Sequence, residues 1–349
     1  MRKFQTTLTG LPLAELSRLL GSRTRALAAR RWLYEARPTP AQLPDRVPGI
    51  TPSAWADLRA EVALPRWRLA ERALSVDGTI KYALDVDGST IETVLIPAEG
   101  RSTVCVSSQS GCSRQCAFCA TATLGFGRQL EAGEIVLQYL VAQSEAPAGA
   151  PARNVVFMGM GEPMDNLDQV MAAVDRLLEP PVPRLAADHV TVSTSGVLPG
   201  IQRFLREGRG QLALSLNATT DAAREALMPH NRQWPIGDLL EALREDQRRA
   251  SGRRYFIEYV LWDGVNDTDD DAARLIALLS GLAAHVNLIP HNPFPGNGLQ
   301  PSPPERVLRF QSLLYAGGVR CLVRTPRGRE IAAACGQLAR RRVSAEAAS

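Results

Sequence analysis

The chain has 349 residues, of which 45% are hydrophobic and 22% charged, and its formal net charge is +4. These values exclude fibrous, collagen-like and wholly disordered proteins, and they permit contact with nucleic acid without requiring it. The length suggests one large α/β domain with an appendage, or two domains. Of the 40 basic residues only Lys3 and Lys81 are lysines, which leaves 38 arginines. This excess of arginine fits either a GC-rich genome or a surface that binds phosphate.

The sequence shows neither a membrane span nor a disulfide scaffold. No stretch approaches the roughly 20 apolar residues of a membrane helix, and the opening MRKFQTTLTG lacks the apolar core of a signal peptide. We therefore expect a cytoplasmic protein. Six cysteines are too few for a disulfide framework, and three of them lie between positions 112 and 119. This spacing favours ligation or redox chemistry in a reducing compartment.

Residues 11–60 are predicted to be helical, because apolar side chains recur at spacings of three and four. The second helix starts near Thr24 and places Arg25, Arg30 and Arg31 beside apolar residues. Such a basic amphipathic helix is either a surface that contacts RNA phosphates or simply a solvated face.

Residues 67–97 are predicted to form a three-stranded meander, since Asp77-Gly78 and Asp87-Gly88 are two-residue turns between alternating runs. Beyond them, β-rich runs alternate with helical stretches, which predicts right-handed crossovers and a parallel sheet. Six or seven such units favour a full or partial βα barrel over an open sheet, with chemistry at the carboxyl ends of the strands. The predicted strands are 103–107, 154–159, 189–194, 211–216, 255–261, 285–290 and 320–324, and the predicted helices include 131–144, 236–249, 269–282 and 304–316.

The strongest local signal is GCSRQCAFC at residues 111–119, with the spacing C-x3-C-x2-C. Three thiolates at this spacing can hold one cubane iron–sulfur cluster, and without a fourth cysteine nearby one iron stays open to another ligand. An open iron can chelate S-adenosylmethionine (SAM), whose sulfonium is then cleaved by an electron to a 5′-deoxyadenosyl radical. Structural zinc, which usually takes four ligands, and a chance cluster of buried cysteines are the alternatives.

The run GMGEP at residues 159–163 follows the second predicted barrel strand. Its glycines would let a ligand approach the backbone, and Glu162 could accept a hydrogen bond from an ammonium group. Alone this run is more typical of a turn, but its place one βα unit after the cysteine loop favours a SAM pocket.

Further runs keep a characteristic order along the chain: IETVLIP from Ile91, CVSSQSGCSRQCAFCATATLGFGRQLEAGEI, NVVFMGMGEPMDN, VTVSTSG, LALSLNATTDAAREALMPHNR, EYVLWDGVND, VNLIPHNPFPG and RTPRGREIAAACGQLA. Together they resemble the radical SAM RNA methyltransferases of the RlmN/Cfr type, with the RlmN type closer. The likeness covers nearly the whole chain from Thr79 onward and, more loosely, the helical amino terminus.

The resemblance implies an α/β fold built on a partial (β/α)6 radical SAM barrel. The implied divisions are a helical RNA-contacting accessory domain at 1–62, a three-stranded β-meander extension at 63–97, the barrel at 98–338 and a basic, flexible tail at 339–349.

The implied reaction is methylation of C2 of adenosine in 23S rRNA at the peptidyl-transferase centre, and of the adenosine 3′ of the anticodon in some tRNAs. C2 of adenine is an electron-poor carbon that offers no nucleophile to an ordinary methyl donor, so a radical must add to the ring. The implied cofactors are one [4Fe-4S] cluster and SAM, with two SAM consumed per turnover. The implied partners are 23S rRNA, tRNA and an electron donor such as flavodoxin, and neither a membrane nor an oligomer is required.

The resemblance also implies roles for individual residues. Cys335 matches the cysteine that takes a methyl group from one SAM and, after a radical removes hydrogen from it, attacks the adenine. Cys105 matches the cysteine that releases the product through a transient disulfide with Cys335. Glu92 matches the general base that removes the C2 proton. The implied cluster ligands are Cys112, Cys116 and Cys119, and the implied SAM contacts are Gly161, Glu162, Ser193, Ser215, Leu216, Asn217 and Asn292.

The sequence departs from the family pattern at two positions. Asn217 stands where many relatives carry His, although Asn can still hydrogen-bond a ribose or carboxylate, and Glu330 replaces a common Asp. Two alternatives remain: a C8-methylating, antibiotic-resistance relative that shares the cysteine chemistry, and a noncatalytic iron–sulfur protein that binds RNA during assembly. The joint presence of Glu92, Cys105 and Cys335 favours an enzyme, although outside this family the two cysteines would be interpreted as structural and Glu92 as a solvated strand residue.

Overall fold

A computed structural model describes residues 7–181, 185–250 and 252–339. The predicted basic tail therefore lies outside the described residues, apart from Ala339. Three helices open the described chain, as predicted: α1 (Leu13–Leu19), α2 (Arg23–Glu35) and α3 (Pro52–Glu61). A proline is favourable at the start of α3, because the first N–H groups of a helix have no partner within it.

The prediction of a basic surface on α2 is wrong for Arg30. Its side chain is only 4% exposed, where it forms an ion pair with Glu179 and donates to the carbonyl of Arg176 at 3.1 Å. Arg25 is half-buried, and Arg31 alone of the three is mostly exposed. Helical periodicity shows on which face of the helix Arg30 lies, but it does not show that the distant carboxylate of Glu179 packs against that face.

The predicted meander is confirmed, with three antiparallel strands: β1 (Trp67–Leu74), β2 (Ile80–Val86) and β3 (Ser89–Ala98). At its second turn both Asp87 and Gly88 have a positive φ, of 42° and 81°, as a type I′ hairpin turn requires. β3 also pairs antiparallel with β4 (Arg101–Cys105). The meander is therefore continuous with the main sheet.

The main sheet has ten strands in the order β1 to β10, of which β4 to β10 are parallel. A helix follows each of the first six parallel strands, which confirms the predicted α/β class with an incomplete βα barrel. Among the described residues no pairing joins β10 back to β4. The remaining parallel strands are β5 (Ala152–Phe157), β6 (Val190–Thr194), β7 (Gln211–Ser215), β8 (Tyr255–Leu261), β9 (Ala284–Pro290) and β10 (Arg320–Val323).

The helices around this sheet are α4 (Ala132–Ser144), α5 (Leu167–Leu178), α6 (Leu198–Glu207), α7 (Asp221–Leu227), α8 (Ile236–Arg249), α9 (Asp269–Leu279) and α10 (Pro304–Ala316). Short 3₁₀ helices lie at Ala120–Leu124, Pro163–Asn166, Ala187–His189 and Pro229–Arg232. No helix in the described part of the chain is long and apolar enough to span a membrane.

Helices α5, α6 and α7 are absent from the elements predicted above. α6 shows why: it opens with Leu198, Pro199 and Gly200, a combination that indicates a turn. The proline is compatible with the first turn of a helix. The glycine is required by close packing, because a Cβ at Gly200 would lie 2.5 Å from that of Met164. Tertiary packing therefore overrides the local turn signal.

Candidate functional site

One cavity at the carboxyl ends of the parallel strands collects the three cysteines of the 111–119 loop. Cys112, Cys116 and Cys119 all line it. Gly111 shapes the loop: its φ is +144°, and a Cβ there would come within 2.1 Å of the carbonyl oxygen of Gly125, to which the N–H of Cys112 donates. Only glycine fits this close approach of two backbone segments.

These cysteines fit an iron–sulfur cluster in chemistry and arrangement. Thiolates are the ligands that such clusters prefer, and three of them face one shared space. In the described part of the chain, no three His, Cys, Asp or Glu side chains are close enough to hold a single metal ion. Burial raises the pKa of the free Cys112 thiol to about 12, so metal binding must displace its proton.

Glu162 occupies the same cavity and is held rigidly. Its buried carboxylate accepts hydrogen bonds from the N–H and hydroxyl of Ser195, at 2.8 and 2.7 Å, and from the N–H of Met164 at 3.0 Å. Burial raises its pKa, while these hydrogen bonds oppose the shift. Gly161 precedes it with a φ of +101°, and a Cβ there would lie 2.6 Å from the Cβ of Gln109. A small residue is therefore needed to bring Glu162 into the cavity.

The structure brings six of the seven predicted SAM contacts to this cavity and leaves one out. The lining includes Gly161, Glu162, Ser193, Ser215, Asn217 and Asn292. Leu216 is instead fully buried in the hydrophobic core, and its N–H donates to the carbonyl of Glu258 at 3.0 Å.

Asn217 already uses its side chain within the protein. Its Oδ1 accepts from the N–H of Val260 at 2.9 Å, and its Nδ2 lies 3.5 Å from the sulfur of Met228. Its φ is +61°, in the left-handed region that Asn tolerates better than most residues. The residue that replaces the commoner His therefore positions the end of β7 as well as lining the cavity.

A second cavity adjoins the first and contains the other two predicted cysteines. Cys105, at the end of β4, lines the second cavity only, whereas Cys335 lines both. Cys105 is buried and Cys335 is accessible. Arg101, Arg324 and Arg327 also line the second cavity, which makes its wall basic.

Burial and Arg324 act in opposite directions on the pKa of each of the two thiols. Desolvation raises the pKa of Cys105 to about 12, with a contribution from Cys335, while the guanidinium of Arg324 opposes the shift. Desolvation likewise raises the pKa of Cys335, and Arg324 again opposes it. The permanent charge of Arg324 therefore favours the thiolate forms that exchange chemistry needs.

Glu92 does not line either cavity. It lies in β3, fully buried, with Oε1 3.1 Å from Nζ of Lys81. Lys81 also donates to the carbonyl of Ala332 at 3.3 Å. The predicted base therefore lies in the protein interior and is linked through Lys81 to the segment that carries Cys335.

Sequence reasoning did not identify one charged residue that lines the first cavity and another that contacts the backbone of its lining. Glu258 on β8 lines it, and one carboxylate oxygen accepts from Asn287 at 2.8 Å while the other has no hydrogen-bond partner. Arg224 on α7 is fully buried and donates to the carbonyls of Ser215 and Leu216, each at 3.0 Å, at the end of β7. A charged residue inside the apolar strand YFIEYVL was the available signal for Glu258.

Comparisons with known proteins agree with this geometry. A model of the radical SAM superfamily matches residues 106–276. The chain is 46% identical over 340 residues to a probable RNA methyltransferase of Sorangium cellulosum, covering 94% of this chain and 85% of that one. It is 45% identical over 343 residues to the dual-specificity RNA methyltransferase RlmN of an Anaeromyxobacter species, covering 95% and 90%. A crystal structure of a radical SAM methyltransferase from Sphaerobacter thermophilus superposes with a TM-score of 0.88 at 42% identity, covering 95% of this chain and 99% of that one.

Proposed function

The chain belongs to the RlmN-type family of radical SAM RNA methyltransferases, and from that premise we propose that it methylates C2 of adenosine. The proposed substrates are 23S rRNA at the peptidyl-transferase centre and the adenosine 3′ of the anticodon in some tRNAs. The names of the relatives support this dual specificity. The structural observation that carries the proposal is the position of Cys335, which lines both the cavity of the three loop cysteines and the cavity of Cys105.

The first cavity holds the cofactors in this proposal. Proteins of the radical SAM family use a [4Fe-4S] cluster and SAM, and when bound these supply an electron and a carbon radical that can remove a hydrogen atom. The chain would hold the cluster through Cys112, Cys116 and Cys119. Glu162 would accept from the ammonium group of SAM, because its carboxylate is buried, fixed in position and faces the cavity.

Cys335 is the methyl carrier in this proposal, and its place in the lining of both cavities supports that role. Its sulfur takes the methyl group on the side of the first cavity and presents the activated carbon to an adenine in the second cavity. Cys105 then attacks the sulfur of Cys335, so that a disulfide forms as the sulfur–carbon bond breaks, and the released carbon keeps the bonding pair and takes up a proton to become the methyl group. The radical adduct gives up the one electron that it has in excess, which the bound cluster can accept. Arg324 favours the attacking thiolate, and Glu92 accepts the C2 proton.

The remaining partners follow from the same proposal. An electron donor such as flavodoxin would reduce the cluster, and one copy of the chain carries every residue named above. Arg101, Arg324 and Arg327 give the second cavity a wall suited to RNA phosphates. A noncatalytic assembly factor would have no need for Cys335 to line both cavities with Cys105 beside it in the second cavity.

The proposal is tested by replacing the methyl carrier. We expect Cys335→Ala to abolish RNA methylation in an anaerobic assay while the cluster absorbance persists. Cys321→Ala is the matched control, because Cys321 is a buried cysteine of β10 that lines neither cavity. Methylated RNA from Cys335→Ala would refute the mechanism.

The position of the methyl group is tested by mass spectrometry of nucleosides from RNA treated with the wild-type protein. We expect 2-methyladenosine in both rRNA and tRNA fragments. Formation of 8-methyladenosine alone would instead place the protein with the C8-methylating relatives.

A further inference from the structure

Lys81 is the only lysine in the part of the chain that the structure describes, and it is buried. Its side chain, on β2, is 3% exposed. The chain uses arginine for 38 of its 40 basic residues. A guanidinium is a wide planar fork, whereas an ammonium is a compact charge on a thin stem. Lys81 therefore places a compact point charge in the protein interior, at a position where a guanidinium would need more room.

The sheet places Lys81 on the same face as two residues of the proposed reaction. Lys81 pairs with Val94 across β2 and β3, and Val94 pairs with Cys105 across β3 and β4. Glu92 is two residues from Val94, so its side chain leaves the sheet on that face as well. Lys81, Val94 and Cys105 therefore form one row across three strands, with Glu92 next to Val94 on the same face, and this row leads from the buried ion pair to a residue that lines the second cavity.

The ammonium group of Lys81 makes two contacts that belong to different parts of the site. It lies 3.1 Å from Oε1 of Glu92 and donates to the carbonyl of Ala332 at 3.3 Å. Ala332 has a φ of +51°, an unfavourable value for alanine, and lies three residues before Cys335. The contact from Lys81 thus supports a backbone conformation that the sequence alone does not favour.

We propose that Lys81 is a positioning residue of the methyl transfer: its buried ammonium joins Glu92 to the loop that carries Cys335 and keeps the two in one arrangement. This inference rests on the proposed function, which makes Glu92 the base and Cys335 the methyl carrier. Removal of the ammonium breaks the link that it forms between the Glu92 carboxylate and the carbonyl of Ala332. The base and the loop that carries Cys335 are then no longer held in one arrangement, so the covalent adduct is not deprotonated efficiently.

The experiment separates two stages of the reaction in Lys81→Met. The first readout is the mass of the Cys335 peptide after incubation with SAM and reductant, which reports methyl transfer to the sulfur. The second is RNA turnover, and the third is RNA that remains covalently bound to the protein. We expect methylated Cys335 to form, turnover to fall by about 100-fold or more, and bound RNA to accumulate as in Glu92→Gln. The matched control is Arg68→Met, which removes a cation from an exposed ion pair with Asp85 on the same hairpin and should leave turnover unchanged.

Lys81→Arg separates a positioning role from a simple need for positive charge. We expect it not to restore turnover, because the guanidinium does not fit the enclosed position. Wild-type turnover in Lys81→Arg would overturn the claim that geometry matters.

A double variant keeps the inference falsifiable if Lys81→Met folds poorly. Because Lys81→Met and Glu92→Gln each disrupt the same buried ion pair, the melting temperature of Lys81→Met/Glu92→Gln should fall by less than the sum of the two single losses. A fall in melting temperature of the double variant that equals the sum of the two single falls would overturn the inference. Normal turnover in Lys81→Met would also overturn the inference, provided that Glu92→Gln retains bound RNA in the same assay. If Glu92→Gln itself turns over normally, the proposed role of Glu92 fails instead.

Discussion

Asp77→Asn should loosen the loop that carries Cys335. Asp77 lies at the tip of the β1–β2 hairpin, where Oδ1 accepts from the N–H of Thr79 at 2.9 Å and the hydroxyl of Ser75 at 2.8 Å. Oδ2 accepts from the N–H of Gly328 at 3.1 Å. That last bond joins the hairpin to the start of the loop. An asparagine loses the charge and replaces one acceptor oxygen with a donor.

The size of the effect follows from the pKa of Asp77. Desolvation raises this pKa, but the hydrogen bonds from Thr79, Ser75 and Gly328 outweigh it and lower the pKa from 3.8 to about 2. That shift corresponds to about 2.5 kcal/mol, which solvent screening reduces to about 1–2 kcal/mol because the side chain is 25% exposed. Since the folded pKa is lowered, the stabilisation is complete above about pH 4 and is lost as the pH falls towards 2.

Hydrogen exchange measured by mass spectrometry at pH 7 tests this prediction. A peptide covering 328–334 should exchange about 5–30-fold faster in Asp77→Asn than in the wild type. Asp85→Asn is the control, because this carboxylate on β2 accepts from Thr90 and pairs with Arg68 instead of the loop. Equal exchange in Asp77→Asn and the wild type would refute the reasoning, as would the same acceleration in Asp85→Asn.

Two further substitutions test the first cavity. Gly161→Ala should weaken SAM binding about 10-fold or more in titration calorimetry, because a side chain is unfavourable at a φ of +101° and its Cβ would lie 2.6 Å from the Cβ of Gln109. Gly149→Ala is the control and should bind SAM normally, because no atom lies within 4 Å of a Cβ built at Gly149. Asn217→Ala should lower the free energy of unfolding by about 1–3 kcal/mol in denaturant titration, because the N–H of Val260 loses its acceptor. Wild-type affinity in the first variant, or wild-type stability in the second, would contradict these expectations.

Much of the barrel could be predicted from sequence because its signals are local. The strand predicted at 211–216 is observed at Gln211–Ser215, since an apolar run between two helical patterns leaves few other interpretations. The cysteine loop and the Gly-rich turn at 159–163 were likewise visible as short motifs. Cys105 and Cys335 carry no such signal, and only the family resemblance singled them out.

The buried charges could not be predicted in the same way, because their partners are distant in sequence. Arg30 lies on a helix whose sequence is basic and amphipathic, yet its side chain is buried in an ion pair with Glu179. The buried position of Lys81 likewise involves a distant partner, because its ammonium group donates to the carbonyl of Ala332. Periodicity reports the face on which a residue lies, whereas the partner on that face is decided by the fold.

The last described segment of the chain completes the wall of a cavity that begins much earlier. The N–H of Ala120 donates to the carbonyl of Gly336 at 2.7 Å, and the hydroxyl of Thr121 donates to that of Leu338 at 2.7 Å. During translation the loop cysteines emerge long before these partners exist. A nascent chain therefore cannot complete this wall of the cavity until residues 336–338 have been synthesised.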